Sequence, residues 1–365
     1  MATTELTGKP GIESAPKVEY RGGQTVGVYS NTRSEFAALL GGCGIYELSW
    51  RAKLRVSGKD RTRWLNGMIT NNIRDLAAGG LYAFLLNPQG HILGDLYAYN
   101  EGESLLLDTD RAQLEKLTST FKRYIIMDKV ELTELSNELT AIGVTGPKSR
   151  DVLRRIGVDA SALQPLQVVE APWNATSFRI VRSDLPAIDS YEIWLNPTDV
   201  SRMWQELAKA GAVPVGSNAV ELLRIALGVP CYGQDIRERD LPQETEQSRA
   251  LHFAKGCYIG QEIVERIRSR GAVHRKFTGF RFEGALPESG MKVQADGKNV
   301  GEVTSVASLP FPNGELLAGL GYIRREIISQ GKQIQVAGSK AAVAEFPLSE
   351  VFALASERTP TTSES

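Results

Sequence analysis

The chain is poor in side chains that ligate metals. Its 365 residues hold three cysteines, Cys43, Cys231 and Cys257, and three histidines, His91, His252 and His274. No CxxC pair occurs, which argues against a disulfide framework, a zinc ribbon or a self-contained iron–sulfur ligand set, so no metal site is expected. An excess of one charge is also missing. The formal net charge is −1, so no global field would hold a nucleic-acid backbone or an anionic membrane. No apolar run approaches the roughly 20 residues that span a bilayer. Residues 1–16 have neither an apolar signal core nor the Arg-rich, acid-poor character of a transit peptide, and the expected compartment is the cytoplasm. What remains is an ordinary soluble composition, 42% hydrophobic and 23% charged, in a chain long enough for two or three domains.

Residues 1–30 are polar with little periodicity and read as a lead-in; residues 356–365 are Ser/Thr-rich and read as a frayed, disordered tail. A helix is predicted over 34–40, with Ser34 as its N-cap and Gly41-Gly42 as its stop. Residues 53–57 alternate like a strand, and Asp60 caps a helix presenting Trp64, Leu65 and Met68. Two apolar runs, 82–86 and 92–99, flank Asn87-Pro88-Gln89-Gly90 and predict a hairpin. An amphipathic helix over 111–124 follows, then strands at 177–182 and 191–195 and helices at 199–210 and 218–227. Strands and helices mix without strict βαβ alternation, so the expected class is α+β. After Arg275 the pattern changes to short strands with turn signals at Asp296-Gly297 and Pro312-Asn313-Gly314, the signature of a small β-barrel or sandwich, placing a boundary near residues 273–277.

The segment Lys255-Gly256-Cys257-Tyr258-Ile259-Gly260-Gln261-Glu262 places a cysteine between two glycines, beside a lysine, just before a helical run. A helix N-terminus and Lys255 would both favour thiolate over thiol. Gly256 and Gly260 would let the backbone bend closely around a ligand. Two readings follow from the residues: a reactive thiol beside a binding cleft, or a small cysteine in a tight loop.

This segment, with Arg266, Gly271 and Arg275 after it, resembles the signature of the YgfZ family, folate-binding relatives of the glycine-cleavage T-protein (GcvT, an aminomethyltransferase). Gly44-Ile45-Tyr46-Glu47-Leu48-Ser49, Trp64-Leu65-Asn66-Gly67, Thr145-Gly146-Pro147, Tyr191-Glu192-Ile193, Leu223-Arg224, Tyr232-Gly233-Gln234-Asp235 and Val300-Gly301-Glu302-Val303-Thr304-Ser305 fall in family order. The resemblance covers about residues 40–325. It implies two intertwined α+β units over 31–274 around a central cleft for tetrahydrofolate or a derivative, and a C-terminal barrel over 275–355. It implies a monomeric accessory protein for assembly or repair of iron–sulfur clusters in client enzymes, including tRNA-modifying methylthiotransferases, with Cys257 as the key thiol.

Two departures separate the chain from true aminomethyltransferases. Those show an Asp-Asp pair after the hairpin turn, where this chain keeps the second acid alone, Asp95. One-carbon transfer needs a carboxylate near the folate nitrogen to manage protons and an iminium-like charge. Their pterin-reading Tyr-Thr-Gly-Glu is replaced by residues 185–189, leaving Asp189 as a rerouted contact. A tetrahydrofolate-dependent aminomethyl- or methyl-transferase is therefore the alternative function, and a folate-binding module with no role for Cys257 is the third. The resemblance implies catalytic roles for Cys257, Lys255 and Asp95, and ligand contacts from Arg224, Tyr232, Gln234, Asp189, Glu192, Gly256, Gly260 and Gln261. Arg224 reads either as a fork for a ligand carboxylate or pterin edge, or as a solvated helix pair with Glu221. Cys231 is a candidate to approach Cys257, and His252 a candidate base. Arg266, Arg268, Arg270, Arg275 and Lys276 read as a solvated face, or as a site for phosphate, polyglutamyl folate or an acidic partner.

Overall fold

The computed structural model describes residues 16–77, 79–173, 176–271 and 273–356. The expected tail beyond 356, the lead-in before 16 and the side chain of Arg270 lie outside the described residues. In chain order the first half holds β1 (Lys17–Tyr20), β2 (Gly23–Val26), α1 (Thr32–Gly41), β3 (Gly44–Glu47), β4 (Arg51–Ser57), α2 (Arg61–Met68), β5 (Gly80–Leu86), β6 (Ile92–Asn100), β7 (Leu105–Asp110), α3 (Arg111–Arg123), β8 (Glu131–Glu134) and β9 (Thr140–Thr145). Next come α4 (Ser149–Arg155), β10 (Val168–Trp173), β11 (Thr176–Arg182), β12 (Ser190–Leu195), α5 (Val200–Lys209), β13 (Val213–Pro214), α6 (Ser217–Leu227) and α7 (Gln261–Arg270). The last stretch is β14 (Arg275–Glu283), β15 (Lys292–Ala295), β16 (Lys298–Phe311), β17 (Gly314–Arg324), α8 (Arg325–Ser329), β18 (Ile334–Val336), β19 (Ser339–Ala344) and α9 (Ser349–Ser356).

Local chemistry corrects three details. Residues 17–26, expected as irregular lead-in, form a hairpin. Its turn is Arg21 and Gly22, both at positive φ (50° and 83°), the pairing that suits a two-residue hairpin turn. Helix α1 is capped by Asn31 rather than Ser34: the Asn31 side chain accepts from the Ser34 amide at 2.8 Å. Asp60 precedes α2, but its carboxylate accepts from the Lys129 amide instead of capping the helix.

A six-stranded sheet has the order β10-β11-β12-β9-β3-β13, and a five-stranded sheet the order β5-β6-β7-β4-β8. Pairing is antiparallel except between β3 and β13. The chain starts the larger sheet with β3, builds the smaller with β4 to β8, and returns with β9, so the two α+β units are intertwined. On β4, buried Leu54 and Val56 pack with Trp64, Leu65, Leu117 and Phe121 against α2 and α3. The alternate residues, Arg51, Lys53 and Arg55, point to the opposite face. Alternation of this kind ordinarily marks a solvated face, yet Lys53 is 1% exposed. Each inner sheet face also carries a tyrosine directly opposite a glycine, Tyr99 across from Gly80 and Tyr46 across from Gly143. A Cβ at either glycine would lie 2.4 and 2.3 Å from the ring, so both rings lie flat along their sheets.

The final strands close into a six-stranded barrel, β14-β17-β16-β15-β18-β19. Phe280, Val293, Val303, Ile323 and Val336 fill it. Among the described residues no helix is long and apolar enough to cross a membrane. A buried polar hub fastens the barrel to the rest. Asp235, fully buried, accepts from Arg224 at 2.7 Å, from the Cys231 amide at 2.9 Å, and from the hydroxyls of Thr304 and Ser305 on β16. Removing one member of a buried ion pair strands the other charge at a cost of about 3–5 kcal/mol. Asp235→Ala should therefore lower unfolding stability by about that amount, measured by urea titration; a loss within about 0.5 kcal/mol would show that the hub is dispensable.

Candidate functional site

The two sheet faces and α6 enclose a cleft of about 810 Å³, including its open mouth. Its aromatic walls are Tyr46, Trp50, Tyr97 and Tyr99, and α6 contributes Val220, Leu223 and Leu227. Tyr46 and Trp50 lie parallel, 5° between planes at 6.2 Å. Charge enters from Arg21, Arg51, Asp184 and Glu192. Arg51 donates to Asp108 at 3.0 Å and Asp110 at 2.6 Å, and the Lys53 ammonium lies 2.9 Å from Asp108. Burial alone would push the Asp108 carboxyl up, but Arg51 and Lys53 outweigh it and hold the group below the usual carboxylate range. Lys53 also sits 4.2 Å above the Trp194 ring. The Trp194 indole donates at 2.7 Å to Oε2 of Glu192, whose carboxylate is 3.9 Å from Lys53.

Of the residues expected from the sequence, Glu192 and Arg224 line this cleft. Arg224 is not the solvated pair of one reading, being 4% exposed. Nor has it a donor left for a ligand fork. A guanidinium has five N–H groups, and all five are engaged: two with Glu221, and one each with Val229 O (3.2 Å), Asp235 (2.7 Å) and Ser305 (2.8 Å). Arg224 is a wall of the cleft, fixed from behind.

Other expected contacts fall outside the lining. Asp189 is taken up by Arg150 at 2.8 Å and Arg182 at 3.4 Å. The Tyr232 hydroxyl donates to Leu93 O at 2.6 Å and accepts from Lys116 at 3.0 Å. Gln234 is exposed and donates to Thr304 O at 3.3 Å. Asp95 stands on β6 two residues before Tyr97, on the same face. Its carboxylate accepts from the Tyr82 hydroxyl at 2.6 Å and the Gln113 amide at 2.7 Å. Burial, with Asp110 adding, raises its pKa above the ordinary carboxylate value.

The Lys-Gly-Cys segment packs elsewhere. Gly260, at φ 81°, opens α7, and a Cβ there would lie 2.6 Å from Asn87 O, so the segment docks tightly on the β5–β6 turn. Gln261 accepts from the Tyr258 amide at 3.3 Å. Cys257 is exposed, whereas Cys43 and Cys231 are buried, so Cys231 does not form a pair with it. Gly256 has open space around it and encloses nothing. Lys255 is 7% exposed and donates to the carbonyls of Asn66, Ile69 and Asn71 at 2.6–2.7 Å, closing the C-terminal end of α2. Burial pushes its amine down to about 7, but three acceptors require the three donors of an ammonium. All its donors are engaged, so none is left to stabilise a Cys257 thiolate. Among the described residues His252 has no hydrogen-bond partner at Nδ1 and is not joined to the thiol. The basic cluster is largely paired: Arg266 with Glu262, Arg268 with Glu265, and Arg275 with Asp240 and Glu244.

Sequence reasoning passed over Trp50, Arg51, Lys53, Tyr97, Asp108, Asp110 and Asp184 as site residues. The available signal was charge at every second position of two strands, Arg51-x-Lys53-x-Arg55 and Asp108-x-Asp110. Among the described residues no cluster of His, Cys, Asp and Glu could hold a metal ion.

Residues 16–255 match the model of the GCVT N-terminal domain family, and residues 274–347 match the CAF17 C-terminal beta-barrel domain. An aminomethyltransferase of Rubrobacter xylanophilus is 28% identical over 313 residues, covering 85% of this chain and 83% of that protein. One from Bacillus subtilis is 27% identical over 329 residues, covering 87% and 90%. The crystal structure of glycine cleavage system aminomethyltransferase T from Bartonella henselae superposes with a TM-score of 0.81 over 92% of this chain and 94% of that one, at 20% identity, which shows a common fold.

Burial pushes the thiols of Cys43 and Cys231 up to about 12, chiefly by desolvation. Brief iodoacetamide treatment of native protein should therefore label Cys257 alone, read by peptide mass spectrometry. Labelling of Cys43 or Cys231 at a comparable rate would contradict the placement.

Proposed function

The chain belongs to the GCVT family and carries a CAF17-type barrel after that domain, and from that premise we propose that the cleft between its sheets binds a reduced folate. The observation that carries this reading is the carboxylate of Glu192 on the wall of an aromatic slot. A pterin is a flat heterocycle with an amino group and ring N–H donors, which suit a carboxylate acceptor and aromatic walls. Oε2 of Glu192 is oriented by Trp194. Arg21, also in the lining, has a buried Nε with no hydrogen-bond partner among the described residues, a donor that a ring acceptor would satisfy. Tyr46, Trp50 and Tyr97 would exclude water from the ring faces. A folate held there would supply a carrier for one-carbon units.

Within this reading the chain serves as a folate-dependent accessory protein for iron–sulfur client enzymes, tRNA-modifying methylthiotransferases among them, working in the cytoplasm as a monomer. Support comes from Cys257, exposed on a tightly docked turn where a client protein could reach it. Its position outside the cleft lining separates the thiol from the folate, so the two would act on different molecules. Aminomethyl transfer is the second reading, favoured by the names of the relatives. Asp95, its pKa raised by burial, is the carboxyl such chemistry would use, although Tyr82 and Gln113 already hold it.

Calorimetric titration with 5-formyltetrahydrofolate should saturate at one site per chain, and Glu192→Gln should weaken it about tenfold or more. No saturable binding would remove the folate reading. In a deletion strain, Cys257→Ser should bind folate normally yet fail to restore iron–sulfur enzyme activity; full restoration would leave the thiol without a role. Turnover of an aminomethyl donor with tetrahydrofolate, lost in Asp95→Asn, would favour the second reading instead.

A further inference from the structure

Where the loop after α6 lies against the outer face of the barrel there is a groove of about 780 Å³, including its open side. Basic side chains reach it from four elements: Arg239 from the loop, Arg275 from β14, Lys292 from β15 and Arg324 from β17. Arg275 and Arg324 are direct cross-strand partners, and like charges placed opposite one another repel. Glu302 on β16 serves three cations at once: Arg237, Arg239 at 2.6 Å and Lys292 at 2.7 Å. Burial alone would raise its carboxyl, but those three outweigh it and bring it down to about 2. Arg275 is met by Asp240 at 2.8 Å and Glu244 at 2.9 Å. Arg324 reaches Glu326 at 3.6 Å, with both side chains more than half exposed, a contact worth little in water. Three cations on one carboxylate, with Arg324 beside them, leave the groove a positive surplus.

Tyr322 lines the same groove as the cross-strand partner of Glu302. It is 1% exposed, and among the described residues its hydroxyl is buried with no hydrogen-bond partner. The Arg275 guanidinium lies 4.8 Å from the centre of its ring. A buried hydroxyl that donates to nothing is unfavourable, and an acceptor placed against it removes that cost. A phosphate group answers both needs, with nearly two negative charges and three acceptor oxygens. A single carboxylate brings one charge and two oxygens in one plane, which leaves either the surplus or the hydroxyl unmet.

We propose that this groove is a binding site for a phosphate group, with Arg239 and Arg324 at its rim and the Tyr322 hydroxyl at its floor. The site is independent of what the cleft binds. Inorganic pyrophosphate is a suitable probe, titrated calorimetrically into the full chain in magnesium-free buffer, with a triglutamate peptide (comparable charge, carboxylates only) in parallel. Pyrophosphate should saturate, more weakly as sodium chloride is added. Triglutamate should bind about tenfold more weakly or worse, as should pyrophosphate to Arg324→Gln and to Tyr322→Phe. Tyr322→Phe should melt no lower than wild type, since it removes no internal hydrogen bond. ADP separates the sources of the group: binding equal to pyrophosphate assigns an ester and no binding assigns the free anion, and either supports the site. The proposal is overturned if pyrophosphate does not saturate by concentrations on the order of 10 mM, if triglutamate matches it, or if either variant binds it equally well. A Tyr322→Phe protein that melts well below wild type would show the hydroxyl already compensated inside the molecule, and that result overturns the proposal too.

Discussion

The contact between Arg224 and Asp235 is the constraint on which the rest of the structure depends. Arg224 comes from α6, Asp235 from the loop after it, and the hydroxyls that bond them, Thr304 and Ser305, from the barrel. Neither charge reaches water, so each is tolerable only with its full set of partners in place. That requirement sets α6 against both the barrel and the cleft. It also decides what Arg224 does: with five donors engaged inside the protein, it shapes the ligand space and holds nothing in it.

A second consequence concerns charge between the sheets. Arg51, Lys53, Asp108 and Asp110 make a closed interior set, and its neighbours Trp194 and Glu192 carry that order to the cleft wall. The cleft is thus polar at defined points and aromatic elsewhere, the usual composition of a small-molecule site. The Lys255 anchor acts likewise on the outside: it ties the turn bearing Cys257 to the end of α2, so an exposed thiol is presented on a rigid support. The aromatic cleft and the thiol are two separate places on one scaffold, the arrangement on which the proposed accessory role rests.

Much of the fold was legible in the residues. The hairpin around Asn87-Pro88-Gln89-Gly90, the helix through Leu117 and Phe121, and the change to short strands after Arg275 follow from local period and turn chemistry, which are properties of neighbouring residues. The site was less legible because its chemistry depends on who is opposite. Arg224 looks alike in sequence whether it faces water, a ligand or Asp235. Lys53 and Arg55 read as a polar strand edge until a second sheet is seen to cover them. Asp189 and Lys255 carried the right residue types, but Arg150 in one case and three backbone carbonyls in the other had already taken their capacity. Glu192 was identified through kinship, and its cleft position comes from pairing of β12 with β9 and β11, a long-range fact that periodicity does not encode.

The most direct test is a crystal structure of the protein soaked with 5-formyltetrahydrofolate. The expected result is a pterin between the two sheets with its amino edge on Glu192, while Arg224 keeps Glu221, Asp235, Ser305 and Val229 as partners. A pterin or glutamate carboxylate held in the fork of Arg224, with Asp235 released, or a ligand lodged beside Cys257 and away from Glu192, would contradict it.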